Sequence, residues 1–218
     1  NTKVTSATGN SAITGTGGVT VTNGYAGNTG TGTLTLGGAN SYSGPTTVSE
    51  ASGFGLIIDG NSSAIGTGIN VQNGFLQIAT GGSINAGSVV VLGNSSGNTA
   101  GTFILGDGTS AVNQTVASLT TSGTSTANAV VGGFTSASTL TLNNNSTDIF
   151  AGKIGGTGTN QNQIALVNSG TGMTTLTGAN TYTGGTTFAG GVLNAGSSGA
   201  LGNAGNLVTT FQLPTPTR

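Results

Sequence analysis

The sequence lacks cysteine, histidine and tryptophan, and only 3% of its 218 residues are charged. Without Cys there is no disulfide, no zinc–thiolate site and no thiol nucleophile. Without His, a serine or threonine hydrolase would lack its usual base. Soluble domains are about a quarter charged. The three basic residues are too few and too scattered for the positive patch that nucleic acids or anionic membranes require, so we expect no nucleic-acid partner.

Long apolar runs are also missing. No run approaches the roughly 20 residues of a membrane-spanning helix, so we expect no membrane-spanning segment. No apolar pattern at helical spacing is long enough for an ordinary helix. The net charge is only −1, and apolar residues cluster in runs such as Leu56–Ile58 and Val89–Leu92. Disordered chains combine few apolar residues with high net charge, so the chain is predicted to be ordered.

Short strand-like runs dominate what is present, and turn residues separate them at intervals of roughly six to twelve residues. The runs are rich in β-branched residues, which favour strands. The clearest are Val19–Thr22, Thr33–Leu36, Gly55–Ile58, Ile69–Val71, Phe75–Ile78, Ser88–Leu92, Thr102–Leu105, Val112–Leu119, Thr139–Leu142, Gln163–Val167, Gly191–Leu193 and Leu207–Phe211. Asn23–Gly24, Asp59–Gly60, Asn73–Gly74 and Asp107–Gly108 are predicted turns, because these pairs accept positive φ angles.

Two all-β folds fit this pattern, a sandwich of antiparallel strands and a parallel β-helix. The 43 glycines and the Asn- and Thr-rich corners favour the β-helix, which has three corners in every coil. We therefore predict a right-handed, single-stranded parallel β-helix of about nine coils over residues 1–212. Two prolines in residues 213–218 cannot join a ladder, so this end is predicted to be a linker or disordered.

A phrase of thirteen residues occurs twice, at 36–48 and at 176–188. The shared positions are Leu36, Gly38, Ala39, Asn40, Tyr42, Gly44, Thr46 and Thr47 in the first copy, and Leu176, Gly178, Ala179, Asn180, Tyr182, Gly184, Thr186 and Thr187 in the second. A second phrase follows each copy, Ser62–Gly66 and Ser198–Gly202. Recurrence within one chain is typical of repeat architectures.

The repeated phrase resembles the passenger-associated transport repeat of bacterial autotransporters. Residues 174–202 are similar throughout, whereas residues 32–66 carry Pro45 in place of a glycine and about five extra residues before Ser62. The resemblance implies a right-handed β-helical passenger that is exported across an outer membrane to the cell surface or the medium. Since passengers of this fold range from adhesins to proteases, the fold alone does not fix the activity.

Carboxylates are the only candidates for enzymatic chemistry. Glycoside hydrolysis needs two of them about 5–10 Å apart. Glu50 and Asp59 are predicted to lie in one coil, Asp107 about two coils further and Asp148 two beyond that. Asp59 and Asp107 each precede Gly, which favours an Asp–Gly corner over a catalytic role. We therefore expect no enzyme, no cofactor and no metal site, since the repeated Asp of calcium-binding β-rolls is also missing.

Two further surface hypotheses arise from the sequence. Tyr42 and Tyr182 are either platforms for stacking sugars or corner residues whose hydroxyl reaches solvent, and the repeated context favours the second. An ice-binding face needs Thr-x-Thr pairs on one side of successive coils. The candidate pairs are Thr20/Thr22, Thr33/Thr35, Thr139/Thr141 and Thr175/Thr177.

These observations favour a non-enzymatic, extracellular structural or adhesive segment. Neither end of the sequence offers a capping helix, so two arrangements are open: the segment belongs to a longer rod, or its ends self-associate and stack into filaments. A carbohydrate-active or carbohydrate-binding module is the alternative, followed by an ice-binding module. A carbohydrate or a host surface is the expected ligand class for the sides of the rod.

Overall fold

The structure is a computed structural model that describes residues 12–22, 32–51 and 53–203, with the backbone of residues 208–209. Every regular element in this part of the chain is a β-strand. The strands are β1 (Thr14–Gly15), β2 (Val19–Thr22), β3 (Leu34–Leu36), β4 (Ser41–Tyr42), β5 (Thr46–Ser49), β6 (Gly55–Ile58), β7 (Asn61–Ser62), β8 (Gly68–Ile78), β9 (Ser83–Ile84), β10 (Val89–Leu92), β11 (Gly101–Leu105), β12 (Gln114–Val116), β13 (Ser118–Thr121), β14 (Ala129–Gly132), β15 (Ser138–Leu142), β16 (Thr147–Phe150), β17 (Lys153–Ile154), β18 (Ile164–Asn168), β19 (Met173–Leu176), β20 (Thr186–Phe188), β21 (Val192–Ala195) and β22 (Val208–Thr209).

All observed strand pairs are parallel, and they form the three faces of a β-solenoid. Face 1 comprises β2, β5, the first half of β8, β10, β13, β16, β19 and β21. Face 2 comprises β3, β6, the second half of β8, β11, β14 and β17. Face 3 comprises β1, β4, β7, β9, β12, β15, β18, β20 and β22. The chain visits the faces in the order 1, 2, 3, which confirms the predicted parallel β-helix.

Eight strands stack on Face 1 in the described residues, slightly fewer than the predicted nine coils. Register on Face 1 shows why. Val90 pairs with Ile69 in the preceding turn and with Leu119 in the following one, and the second step along the sequence is much the longer. The middle turns therefore use more chain than the sequence suggested. Turns stacked at ~4.8 Å make a rod of about 38 Å over this part of the chain. The predicted end segment 213–218 lies outside the described residues.

A single narrow core runs through the solenoid. Successive strand residues point to opposite faces of a sheet, so alternate residues of each strand enter the core. In β11 Phe103 and Leu105 are buried while Thr102 and Ile104 face outward. The same alternation occurs in β15, where Leu140 is buried between outward-facing threonines. One continuous cluster of apolar side chains results, and it extends from Val21 to Ala200.

Some corners are bends within a strand. The sequence predicts two strands with an Asn73–Gly74 turn between them, but β8 is continuous across this corner. Gly74 makes the bend with a φ of +86°, and a Cβ at this position would overlap the carbonyl oxygen of Phe54. Only glycine tolerates both the positive φ and the close approach. Face 1 and Face 2 are therefore joined here into one sheet.

The two copies of the repeated phrase do not stack on each other. In the first copy Leu36 lies on Face 2 and Thr46 on Face 1. In the second copy Leu176 lies on Face 1 and Thr186 on Face 3. The second copy is thus displaced by one face around the axis, because the residues between the copies do not make a whole number of turns. The phrase encodes a corner that more than one edge of the solenoid accepts.

Candidate functional site

The asparagine of each repeat joins three successive turns. The Asn40 Oδ1 accepts a hydrogen bond from the backbone N–H of Ile13 at 2.9 Å, and its Nδ2 donates to the Ser62 Oγ at 2.8 Å. Asn180 accepts from the N–H of Ile154 at 2.7 Å and donates to the carbonyl of Ala200 at 2.5 Å. Both amides are buried. Each asparagine therefore satisfies polar groups of the turns before and after it.

The tyrosine of each repeat bonds to the threonine four residues later. The hydroxyl of Tyr42 lies 2.7 Å from the Thr46 Oγ1, and that of Tyr182 lies 2.6 Å from the Thr186 Oγ1. Their exposed fractions are 1% and 0%, so neither hydroxyl reaches solvent and neither ring is available to stack on a sugar. Burial raises the pKa of both phenols, partly offset by the bond to threonine. These tyrosines fill the core at the corner.

The remaining repeat positions take equivalent places in the two copies. Leu36 and Leu176 are buried, Ala39 and Ala179 are exposed, and Thr47 and Thr187 face outward. The glycines lie where turns approach closely. A Cβ on Gly178 would overlap the carbonyl oxygen of Gly152, and one on Gly44 would overlap the backbone nitrogen of Gly18. Packing at the corner thus accounts for the shared leucines and for Gly44 and Gly178.

The structure does not assemble the carboxylates into an acid–base pair. Glu50 follows β5 and is 7% exposed, and burial raises its pKa against a hydrogen bond from the Ala51 backbone. Asp59 follows β6 at the next corner of the same turn and is exposed. Asp148 is buried in β16, where its Oδ2 accepts a hydrogen bond from the N–H of Leu119 at 3.3 Å. Among the described residues, no three His, Cys, Asp or Glu side chains lie together as metal ligands would.

Asp107 is a structural clamp at the corner between Face 2 and Face 3. Its Oδ2 accepts from the Thr80 N–H at 2.9 Å, and its Oδ1 accepts from the Thr80 Oγ1 at 2.8 Å and the Thr109 N–H at 2.9 Å. Partial burial alone would raise the pKa of this carboxyl. The hydrogen bonds from Thr80, Thr109 and Ser110 outweigh it and hold the pKa at about 2. The carboxylate ties one turn to the next.

The four Thr-x-Thr pairs do not share one side of the rod. Thr20 and Thr22 lie on Face 1, Thr35 on Face 2, and Thr139 and Thr141 on Face 3. Thr175 is again on Face 1, where its side chain is 9% exposed. The arrangement that the ice-binding hypothesis requires is therefore not formed by these pairs.

An open groove of about 610 Å³ lies on the outer surface of Face 2. Phe75, Thr102 and Ile104 line it from the strands, and residues 98–100 and 125–127 line it from two loops. The loops connect Face 1 to Face 2 in successive turns, β10 to β11 and β13 to β14. They contact each other through the Thr124 N–H and the Gly97 carbonyl at 3.5 Å. Gly53, Asn73 and Gly74 complete the lining.

Sequence reasoning missed this groove and the residue that supports it. Buried Asn128 accepts a hydrogen bond from the N–H of Gly101 at 2.9 Å and donates to the carbonyl of Ser125 at 3.1 Å, which fixes the second loop to β11. The available signal was the length of the two segments between strand-like runs, residues 93–101 and residues 120–128. Outward residues of a strand are not distinguishable from core residues until the register is known.

The corner motif and the solenoid together define a class of protein. A parallel β-solenoid with a repeated Asn–Tyr–Thr corner fits the passenger β-helix of an autotransporter. The family model of the passenger-associated-transport-repeat matches residues 28–51 and 166–195, which contain the two copies of the phrase. A search of curated proteins and a search of solved structures each found no match. The part of the chain that the structure describes has no helix of the length and apolar character needed to cross a membrane.

Proposed function

We propose that this chain is a non-enzymatic structural and adhesive segment of an exported autotransporter passenger, acting outside the cell. The observation that carries the proposal is the stack of parallel strands in register on three faces, in which Face 1 alone runs from β2 to β21. Between β13 and β16 the backbone ladder is interrupted, and the Asp148 carboxylate accepts a hydrogen bond from the Leu119 N–H instead. Each turn is supported by the turns before and after it, as in other solenoids. Such a scaffold holds its outer surface in a fixed arrangement without needing chemistry of its own.

The surface composition supports a passive role. The whole sequence has four acidic residues, and the structure uses two of them, Asp107 and Asp148, as hydrogen-bond acceptors for the neighbouring turn. Outward positions are mostly Thr, Asn, Ser and Gln, which suit a solvated strand surface. Because its surface carries so little charge, we expect the segment to bind its targets through shape and neutral hydrogen bonds, with little dependence on salt.

End-to-end stacking into filaments is part of this proposal. The terminal residues that would make the contacts, 1–11 and most of 204–218, lie outside the described residues. Negative-stain electron microscopy of the purified segment over a concentration series tests the idea. Filaments as wide as one β-helix at high concentration support stacking. Short separate rods that stay monomeric by light scattering contradict stacking and leave the segment as a stalk.

The enzymatic alternative has its own test. If Glu50 and Asp59 acted as acid and base, Glu50→Gln or Asp59→Asn would abolish hydrolysis of a polysaccharide panel. We expect no hydrolysis by the unaltered chain. Turnover that either substitution removes would overturn the non-enzymatic assignment.

A further inference from the structure

The groove on Face 2 exists because two successive turns are longer than their neighbours. On Face 1, the step along the chain from Ile69 to its partner Val90 is short, whereas the step from Val90 to its partner Leu119 is long. Much of the added length lies in the loops of residues 93–100 and 122–128. In the turn below, β8 passes from Face 1 to Face 2 without any loop. The two loops therefore form one side of the groove, next to the outer surface of Face 2. The turn that contains β8 has no loop at this position.

The floor of the groove contains an aromatic ring on the outer side of the sheet. Phe75 alternates with buried Leu76, so its side chain faces away from the core and is only partly buried. Its neighbour in the preceding turn is Gly55, which has no side chain to cover the ring. Its neighbour in the next turn is Thr102. Ile104 adds a second outward apolar side chain beside them.

The polar groups around this floor are neutral, and several have no internal partner. Among the described residues, none that lines the groove is charged. Within the described residues, the side chains of Asn98, Thr102 and Thr126 make no hydrogen bond, so their amide and hydroxyl groups can both donate and accept. A ligand of matching chemistry has an apolar face for the ring and uncharged hydroxyl groups for the rim.

The backbone around the groove argues against a peptide. Extended peptides usually bind by adding a strand to a free sheet edge. Here β8 is paired on Face 2 with β6 and β11, and β11 is paired with β14, so no edge is free within the groove. Side chains and loops alone must make the contacts.

We propose that this groove binds a short neutral oligosaccharide, with a sugar ring stacked on Phe75 and its hydroxyls bonded to Asn98, Thr102 and Thr126. A sugar ring has an apolar C–H face and a rim of hydroxyls that donate and accept, which matches the floor and the walls. The volume of about 610 Å³ lies within the range of small-ligand sites. The proposal rests on the adhesive role proposed above and gives that role its ligand class.

The test uses the purified chain on an array of neutral trisaccharides, namely cellotriose, chitotriose, maltotriose and mannotriose, with sialyllactose as the charged comparison. Calorimetry then measures the affinity of the strongest ligand. We expect at least one neutral sugar to bind at micromolar to millimolar Kd, with weak dependence on salt. Phe75→Ala should weaken that binding about tenfold or more.

Two further variants keep the test sharp. Asn98→Ala combined with Thr126→Ala removes groups that bond to no other part of the described protein, so it should weaken binding without affecting folding. Ile149→Ala is the matched control, since Ile149 is an exposed apolar residue on Face 1 with 56% of its surface accessible. Binding that survives both groove variants, binding of sialyllactose alone, or no binding at millimolar concentration would each overturn the proposal. Rods seen by microscopy in that case would leave the structural role intact.

Discussion

Replacement of Asn180 by alanine should destabilise the solenoid locally and measurably. The side chain is 4% exposed and holds the N–H of Ile154 and the carbonyl of Ala200, in the turns before and after it. Alanine leaves both groups buried without their partner. A buried unsatisfied group costs about 1–3 kcal/mol, and partial relaxation reduces the total, so we expect a loss of about 2–4 kcal/mol.

Hydrogen exchange measured by mass spectrometry or NMR is the assay with the needed resolution. The amide of Ile154 should exchange about thirty- to several-hundred-fold faster in Asn180→Ala, since each ~1.4 kcal/mol is a factor of ten. The amide of Val90, several turns away, should keep its rate because solenoid turns contact only their neighbours.

Asn194→Ala provides the control. Asn194 is exposed and donates only a 3.4 Å hydrogen bond to the Thr175 Oγ1, so its loss should change stability by less than about 0.5 kcal/mol. Equal stability of the two variants, or unchanged protection of Ile154 in Asn180→Ala, would refute the assignment of Asn180 as a clamp between turns.

Three other predictions concern the corners. Tyr42→Phe should lower the free energy of unfolding in urea by about 1–2 kcal/mol, because it leaves the buried Thr46 hydroxyl without its hydrogen-bond partner. Adding Thr46→Val should recover part of this loss. If the two substitutions have additive effects on stability, the hydrogen bond is contradicted. Asp107 has a pKa of about 2, below its ordinary value near 4, so its stabilisation is present above pH 4 and lost as the pH falls towards 2. Asp107→Asn should therefore remove acid sensitivity from thermal unfolding in that window, and an unchanged pH profile would count against it. Gly178→Ala should impair folding, since the new Cβ meets the Gly152 carbonyl, whereas Gly97→Ala has open space and should be tolerated in circular dichroism.

Local strand patterns were readable from the sequence because the core is narrow and every strand alternates. The run predicted at Thr102–Leu105 is β11, Gly101–Leu105, and the run at Thr139–Leu142 is the body of β15. The strand β16 was missed, since Asp148 in its centre is buried and breaks the expected apolar alternation. That an aspartate points into the core can be predicted only when its hydrogen-bond donor, here the Leu119 N–H, is known.

The pairing register between strands of distant turns could not be predicted from the sequence. The turns differ in length, from the short step that joins Thr174 to its partner Leu193 to the long step that joins Val90 to its partner Leu119. A repeat period fitted to the sequence therefore accumulates error. For this reason the phrase alone does not reveal that its two copies lie on different faces, and the groove on Face 2 was not foreseen. The glycine, asparagine and tyrosine positions of the phrase were identified, but their partners depended on this register.

The direction of the ladder determines how the rod responds to force. Hydrogen bonds between turns run along the rod axis, while the chain itself winds around it. Tension applied to the two ends therefore loads the ladder of the terminal turn first and peels it away, and the next turn then bears the load. Each turn releases roughly 20–30 residues, or about 7–10 nm of extended chain. The rod thus yields in a series of small steps, and a pulled tether of this kind lengthens many times over before the last turn opens.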